Sequence, residues 1–515
     1  MSPDRSIEKL RRKLYAPCRS GVCVPSFIRY ADAVNSVQLR RTIGWIPLLI
    51  AFLAALAALI VVVWAALFER DAGISWTQPL IGNTVGVART YLFRNALLNT
   101  LAVLAPIWVS VFVLTFFASR RRFGMDDVRR RLPFPIYALA VAPLFLPPPY
   151  AVYLWRLLFR HIDMSSDPNL GLAAIVIVQV WRLWPLAIVL APLTRSVRPE
   201  RSAVVVALTA VLLAFVDVAT PLIMTGGEPY NDTHLWSTWS FHSLWVSRHW
   251  GFGAVMVGGM AFITGVIAGL IWLVGSHARV RDAGASLSHE KYLNNTALVA
   301  AACSALLPVA WLLPNLVLTW RPVAHSGEFI VEYMQWAVLS LLFVLITTFL
   351  AGLITSPALS AGVERHIRVM AACFVVGMAT IPIWDWVGLR WMSWGAGRYA
   401  PLVIVFATGI TTGLVALWPG AACMRRNRMG CRRDEHFVNA LNLLVVALLA
   451  TGGQFPLLVA VAERHGVLTL ATGPALRLST IASESELALA TVLTYALVFS
   501  LSTVLAFTIR RTRNG

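Results

Sequence analysis

Among the ionisable side chains within long apolar runs, three are candidates for a functional site, because a charge is costly there. Arg182 and Asp217 are central to two such runs, and Asp385 lies near the end of a third. Such groups usually face the interior of a helical bundle, where they pair with an opposite charge or contact a solute. We therefore expect Arg182 and Asp217 to form an ion pair between adjacent helices, either as a structural clamp or as part of a solute path. Asp385 is a further path candidate.

The composition excludes a soluble globular protein. Of the 515 residues, 58% are hydrophobic and 13% are charged, whereas about 25% of the residues in an ordinary soluble domain are charged. Apolar runs of about 20 residues, long enough to cross a bilayer as a helix, occur at 43–68, 97–117, 134–159, 170–193, 203–225, 252–275, 297–319, 331–355, 367–388, 399–418, 437–461 and 486–509. The sequence predicts an all-α, polytopic integral membrane bundle of about twelve transmembrane helices.

The net charge of +19 predicts how this bundle is oriented. Twelve spans place both termini on one side, and the segments on that side contain 30 Lys and Arg residues, against 10 on the other side. Because cytoplasmic loops are enriched in basic residues, we expect both termini in the cytoplasm. Topology then accounts for the charge, and a nucleic-acid partner is not expected.

The twelve predicted spans divide into two groups of six, which indicates a duplication. The predicted parts are a basic cytoplasmic tail at 1–42, a first six-span half at 43–275, a cytoplasmic linker at 276–296, a second six-span half at 297–509 and a cytoplasmic tail at 510–515.

Each half has a glycine pair late in its sequence, Gly226 and Gly227 in the first and Gly452 and Gly453 in the second. A glycine pair near a proline indicates either a broken or re-entrant backbone that lines a cavity or a helix C-cap followed by a turn. Since the pattern occurs twice, we treat all four glycines as solute-path candidates.

The predicted outer connection 226–251 is rich in aromatic residues, which is typical of a membrane interface. It also contains acidic side chains, and a second interpretation is a docking surface for an extracytoplasmic solute-binding protein or the rim of a solute entrance. The docking candidates are Glu228, Asp232, Trp236 and Trp239.

The sequence gives no indication of catalysis. The pairs of acidic residues and histidines in the predicted loops lack the spacing of an acid/base or metal site, and no glycine-rich phosphate loop occurs. The six cysteines also lack the spacing of a zinc site. We therefore expect neither enzymatic activity nor a metal or cofactor.

Several segments resemble, in type and order, the inner-membrane permeases of binding-protein-dependent ABC importers. They are 93–101, the basic turn 119–124, the proline-rich 143–159, 180–185, 214–217 and 222–229 with Thr233. The last resembles the "LTGGGP...T" ending of sugar-type permeases. The second half, with 449–455 at the corresponding place, looks like the fused two-permease chains of the ferric-iron and thiamine type.

This resemblance implies a bacterial inner-membrane permease that provides the path for a small solute. Its implied partners, besides the lipid bilayer, are a separate ATPase subunit and an extracytoplasmic solute-binding protein. The sugar-type and iron-type features point to different solutes, so the sequence leaves the solute open.

One family feature is missing from the sequence. Family permeases carry a cytoplasmic "EAA...G" coupling helix that docks on the ATPase, and neither 194–202 nor 419–436 contains it. Basic side chains in these loops are candidates for contact with a cytoplasmic partner, namely Arg195, Arg198, Arg201, Arg425, Arg426, Arg428, Arg432 and Arg433. The alternative is a degenerate permease-like scaffold or assembly subunit that binds another membrane complex and no longer couples to an ATPase.

Overall fold

The computed structural model describes residues 45–69, 79–120, 134–159, 167–188, 190, 199–229, 231–276, 303, 326–360, 366–393, 400–418, 459 and 489–499. Within these ranges the secondary structure is helical, without strands. The helices are α1 (Ile46–Phe68), α2 (Pro79–Arg89), α3 (Tyr91–Arg120), α4 (Phe134–Phe145), α5 (Pro148–Leu158), α6 (Pro168–Leu183), α7 (Pro199–Val216), α8 (Ala219–Thr225), α9 (Trp236–Phe241), α10 (Trp250–Ser276), α11 (Ser326–Ser360), α12 (Ile367–Ala379), α13 (Ile383–Trp391), α14 (Ala400–Val415) and α15 (Leu489–Phe499).

Six helices in the described part of the chain are long and apolar enough to cross a membrane, and a seventh span results if the bent pair α12 and α13 counts as one. The all-helical membrane character is thus confirmed, whereas the number twelve stays a prediction. Except for Cys303 and Val459, the predicted spans 297–319 and 437–461 lie outside the described residues, as do both predicted tails and the predicted linker after Ser276.

Two stretches differ from the predicted spans. The run 134–159 forms two short helices, α4 and α5, separated at Leu146 and Pro147, because proline disfavours helical backbone in the residue before it. The segment 69–96, predicted to be an outer connection, contains α2, whose apolar residues are interrupted by Gly82, Asn83 and Thr84 and so do not form an apolar run.

Helices α1, α10, α12 and α14 alternate in direction. Val62 in α1 packs near Gly258, and the Glu69 carbonyl lies against Gly251, so α1 and α10 are antiparallel. In α12, Phe374 contacts Trp272 of α10 and Trp418 beyond α14, with ring centroids 5.6 and 6.3 Å apart. By contrast, α11 runs parallel to α14, since Leu350 faces Gly409 and Ile354 faces Gly413.

The helix ends form two opposite faces. The Trp45 face consists of Trp45, Gly275, His366 and Trp418: Trp45 stacks edge-on against His366, and Gly275 lies against Trp418. The Glu69 face consists of Glu69, Trp250, Trp386 and Arg390, which contact one another. Each face brings together residues from the same predicted end of their spans, and which face is cytoplasmic stays a prediction.

Two predicted spans are interrupted in their later part. Residues Asp217 and Val218 separate α7 from α8, and Thr380–Pro382 separate α12 from α13, whose axes differ by 57°. Broken backbone at membrane depth is tolerated where it is buried in protein or lines a cavity. The candidate site lies at these interruptions.

Candidate functional site

The first part of the site is a buried ion pair. Arg182 and Asp217 are 6% and 5% exposed, and a guanidinium nitrogen of Arg182 lies 2.8 Å from Asp217 Oδ2. Gln179, one turn before Arg182 on α6, donates from Nε2 to the same oxygen at 2.8 Å. The pairing expected from the sequence is confirmed.

The same carboxylate stabilises the start of α8. The Thr220 hydroxyl donates to Asp217 Oδ2 at 2.6 Å, and the Thr220 N–H donates to Oδ1 at 3.2 Å. A carboxylate that accepts the N–H three residues later resembles a helix N-cap. Asp217 therefore neutralises Arg182 and also satisfies backbone that the interruption leaves without a helical partner.

Two polar atoms of this cluster lack a hydrogen-bond partner among the described residues. They are Arg182 Nε and Gln179 Oε1, and both are buried. Buried polar atoms are normally satisfied, and exceptions are often found at functional sites. A donor and an acceptor are thus available in the interior beside the ion pair.

A small cavity forms the second part of the site. It is bounded by Val216 and Val218 at the first interruption, by Ser237 and Ser240 of α9, and by Pro382 and Asp385 at the second interruption. Asp385 is 6% exposed and lies in the first turn of α13. The Ser237 hydroxyl donates to the Asp217 carbonyl at 3.1 Å, so the cavity and the ion pair are neighbours.

The outer loop 226–235 follows α8. Gly226 (φ +64°) is the left-handed C-cap of α8. Of the two interpretations of this glycine, the helix C-cap followed by a turn therefore applies. Gly227 also has positive φ, at +96°, and a Cβ there would lie 2.5 Å from the His234 ring. The Thr233 hydroxyl, 2.7 Å from the Glu228 carbonyl and 2.9 Å from the Thr225 hydroxyl, closes the loop.

Helix α3 holds this loop through three polar side chains. Asn95 and Asn99, which are four residues apart and so on one face of the helix, both donate to the Asp232 carbonyl. Asn99 also donates to the His234 carbonyl at 3.1 Å, and the Thr100 hydroxyl accepts the Trp236 N–H at 2.8 Å. The segment 93–101, which resembles the permease family, is therefore hydrogen-bonded to residues that adjoin the second resembling segment, 222–229 with Thr233.

His234 is the buried titratable group of the loop. Its ring nitrogens contact Asn231 and Thr238, each at 3.2 Å, and its ring lies 5.8 Å from that of His242. Burial, followed by the nearby His242, lowers the pKa of His234 to about 4, and burial also lowers the pKa of His242. His234 is therefore neutral at pH 7.

The four docking candidates have different surroundings. Glu228 is exposed, and Asp232 and Trp239 are half-buried. Trp236 is buried between Phe93 and Phe215, with ring centroids 5.3 and 5.8 Å away, and therefore has a packing role in this structure. For the other three, docking stays a prediction.

Most cytoplasmic contact candidates lie outside the described residues. These are Arg195, Arg198, Arg425, Arg426, Arg428, Arg432 and Arg433. The solute-path candidates Gly452 and Gly453 also lie outside the described residues. Arg201 is described, and it is exposed in the first turn of α7.

Several residues of the site were not found by sequence reasoning. Thr220, Ser237 and Ser240 have no distinctive pattern in an apolar chain. Gln179 lies three residues before Arg182, and Asn95 lies four before Asn99, so polar residues on one helix face were a usable signal for both pairs.

The chain matches none of the known protein-family models, and no curated protein matches its sequence.

Proposed function

We propose that this chain is the membrane permease component of an ABC-type small-solute importer. The observation that carries the proposal is the meeting of two interrupted helices, one from each predicted half, at a small cavity inside the bundle. Interrupted helices that meet near mid-membrane are typical of transport sites. The solute path would pass between α7–α8 and α12–α13.

The two atoms beside the ion pair that lack a hydrogen-bond partner among the described residues favour a solute path over a purely structural ion pair. A clamp needs only the mutual hydrogen bonds of Arg182, Gln179 and Asp217. Arg182 Nε and Gln179 Oε1 are additional buried polar groups, and hydrogen bonds to a passing solute or water would offset the cost of burying them.

The contact between α3 and the outer loop supports the family resemblance. Asn95, Asn99 and Thr100 of the resembling segment 93–101 bind residues that adjoin the second resembling segment, more than a hundred residues away in sequence.

A second candidate is the permease-like scaffold, which the closed packing at Asp217 favours. Both carboxylate oxygens accept hydrogen bonds from the protein itself, so the cluster is stable with no solute. A scaffold would keep this cluster closed, whereas a permease must expose the neighbouring cavity to each side in turn.

Cysteine accessibility distinguishes the two functions without knowledge of the solute. In a variant lacking the six native cysteines, Ser240→Cys would be exposed to a membrane-impermeant methanethiosulfonate in oriented vesicles. A permease gives labelling from either side, with rates that change when ATPase subunit and nucleotide are added. Protection from both sides under all conditions would contradict the proposal and favour the scaffold. Ser247→Cys, which replaces an exposed residue, is the positive control for labelling.

Copurification tests the implied partner. The permease proposal predicts that an ATPase subunit copurifies with the full chain and that neutralising Arg425, Arg426, Arg428, Arg432 and Arg433 together releases it. Copurification of a different membrane complex without any ATPase would support the scaffold.

A further inference from the structure

We propose that the ion pair between Glu69 and Arg390 is a latch that keeps the cavity closed on the Glu69 face. Glu69 directly follows α1 of the first predicted half, and Arg390 lies in the last turn of α13 in the second. The inference rests on the proposed function and deepens it, because it names the contact that controls access to the cavity from one side.

Helix α13 extends from the cavity to the Glu69 face. Pro382, directly before α13, and Asp385 in its first turn line the cavity, whereas Arg390 reaches the Glu69 face. Between these ends, Trp386 is 2% exposed and donates from Nε1 to the Trp250 carbonyl at 3.1 Å. A molecule that enters between α10 and α13 must displace the Trp386 ring before it reaches the cavity. In this conformation α13 therefore closes the route.

The start of α13 is fixed to its own predicted half. α12 packs tightly on α14, since a Cβ on Gly377 would lie 2.6 Å from the Leu414 Cβ atom. Trp384 in the first turn of α13 donates from Nε1 to the Thr411 hydroxyl of α14 at 3.0 Å. Between α12 and α13, Pro382 lacks the N–H that would continue the helical hydrogen bonds. A rotation of α13 about this interruption would therefore move its far end most.

The far end of α13 is bound to the first half by charge. Arg390 pairs with Glu69, and its guanidinium also lies 5.0 Å from the Trp250 ring centroid, at the distance of a cation–π contact. The Arg390 and Glu69 side chains are 21% and 14% exposed, so water can hydrate them more readily on separation than a deeply buried ion pair. Such a pair is suited to a contact that breaks and forms again.

The test measures access to the cavity from the Glu69 face. The full chain, without its native cysteines and with Ser240→Cys, is labelled in oriented vesicles with a membrane-impermeant methanethiosulfonate. Arg390→Gln should accelerate labelling from the Glu69 face at least about fivefold, as expected for loss of a partly exposed ion pair, and should leave labelling from the Trp45 face unchanged. Exchanging the two charges, with Glu69→Arg and Arg390→Glu in one chain, should restore the slower rate.

Matched controls separate a latch from a general loss of packing. Arg248→Gln removes an exposed arginine two residues before Trp250 and should not change the labelling rate. Amide hydrogen exchange in Arg390→Gln should become faster in α13 but not in α12. If Arg390→Gln does not fold, Glu69→Gln, which keeps the size of the side chain, takes its place in both measurements.

Three results would overturn the latch. They are an unchanged labelling rate from the Glu69 face in the neutral variants, equal acceleration from both faces, and failure of the charge exchange to restore the slower rate.

The latch and the permease proposal fail separately. A parent chain that is protected from both faces, with an Arg390→Gln variant that is labelled from the Glu69 face, would keep the latch and contradict the permease. Labelling of the parent chain that responds to the ATPase subunit and nucleotide but not to the charge variants would do the reverse.

Discussion

Asp217 pairs with the buried Arg182 and also stabilises the backbone at the interruption between α7 and α8. Its Oδ2 atom accepts hydrogen bonds from Arg182, Gln179 and Thr220, and its Oδ1 atom accepts the Thr220 N–H. A buried ion pair often adds little net stability compared with apolar residues, but breaking it leaves an unpaired charge. We expect Asp217 to determine where α7 ends more than it determines overall stability.

A double-mutant cycle tests this interpretation. Asp217→Asn leaves the Arg182 guanidinium buried without a counter-charge and should lower the free energy of unfolding by about 3–5 kcal/mol. Arg182→Gln should have a similar effect, because the carboxylate is then unpaired. The double variant should be more stable than either single variant when unfolding is followed in detergent. Additive losses would contradict a direct pair.

His234 should make the outer loop sensitive to acid. Its pKa of about 4 is below that of a histidine in an unfolded chain, about 6.5, so the unfolded chain binds more protons between these values. The stabilisation is therefore complete above about pH 6.5 and declines as the pH falls toward 4. His242 has a lowered pKa for the same reason and adds to the effect in the same direction.

The measurement is the thermal unfolding midpoint of the detergent-solubilised chain between pH 7 and pH 4, compared between wild type and His234→Gln. The variant should lose less stability on acidification, since it has one fewer histidine to protonate on unfolding. An identical pH dependence of the two proteins would contradict a role for His234.

Helix α3 and the outer loop depend on each other. Asn99 is buried and donates to the Asp232 and His234 carbonyls. Asn99→Ala leaves the His234 carbonyl without this donor and the Asp232 carbonyl with Asn95 alone, and should cost about 1–3 kcal/mol. Asn95→Ala should cost less, because Asn95 is only half-buried. Amide hydrogen exchange in 231–241 should become faster in both variants. Leu98→Ala, which changes an exposed side chain of the same helix, is the control and should leave exchange in the loop unchanged.

Apolar runs predicted the long helices well but not their interruptions. Hydropathy measures how apolar a segment is, and Asp217 and Thr380–Pro382 interrupt spans that remain apolar on both sides. The ion pair was predictable because opposite charges in apolar spans have few other partners. The cavity was not predictable from the sequence, because Ser237 and Ser240 line it only once α9 packs against α10 and the second interruption. The loop contacts of Asn95 and Asn99 join positions more than a hundred residues apart, which spacing alone does not predict.

The two faces of the bundle connect the predicted halves at both ends. On the Glu69 face, the Glu69 carboxylate pairs with Arg390, whose guanidinium also lies 5.0 Å from the Trp250 ring centroid. On the Trp45 face, Trp45 packs against His366 with ring centroids 4.7 Å apart. α10 ends at the Trp45 face, and α11, which is parallel to α14, begins at the opposite end. The predicted span 297–319 between them lies outside the described residues except for Cys303. The halves therefore pack along the length of α1 and α10 rather than at one end.

This arrangement, combined with the distribution of basic residues, predicts which face is cytoplasmic. In a variant lacking the native cysteines, Ser393→Cys and Ser247→Cys place exposed thiols near the Glu69 face, and His366→Cys places a half-buried thiol on the Trp45 face. An impermeant maleimide should label the first two in intact cells and the third only after permeabilisation, because basic segments stay in the cytoplasm. The reverse labelling pattern would show that the Glu69 face is cytoplasmic, and it would not affect the packing of the helices described above. Labelling of all three from one side would contradict the alternating directions of α1, α10, α12 and α14 themselves.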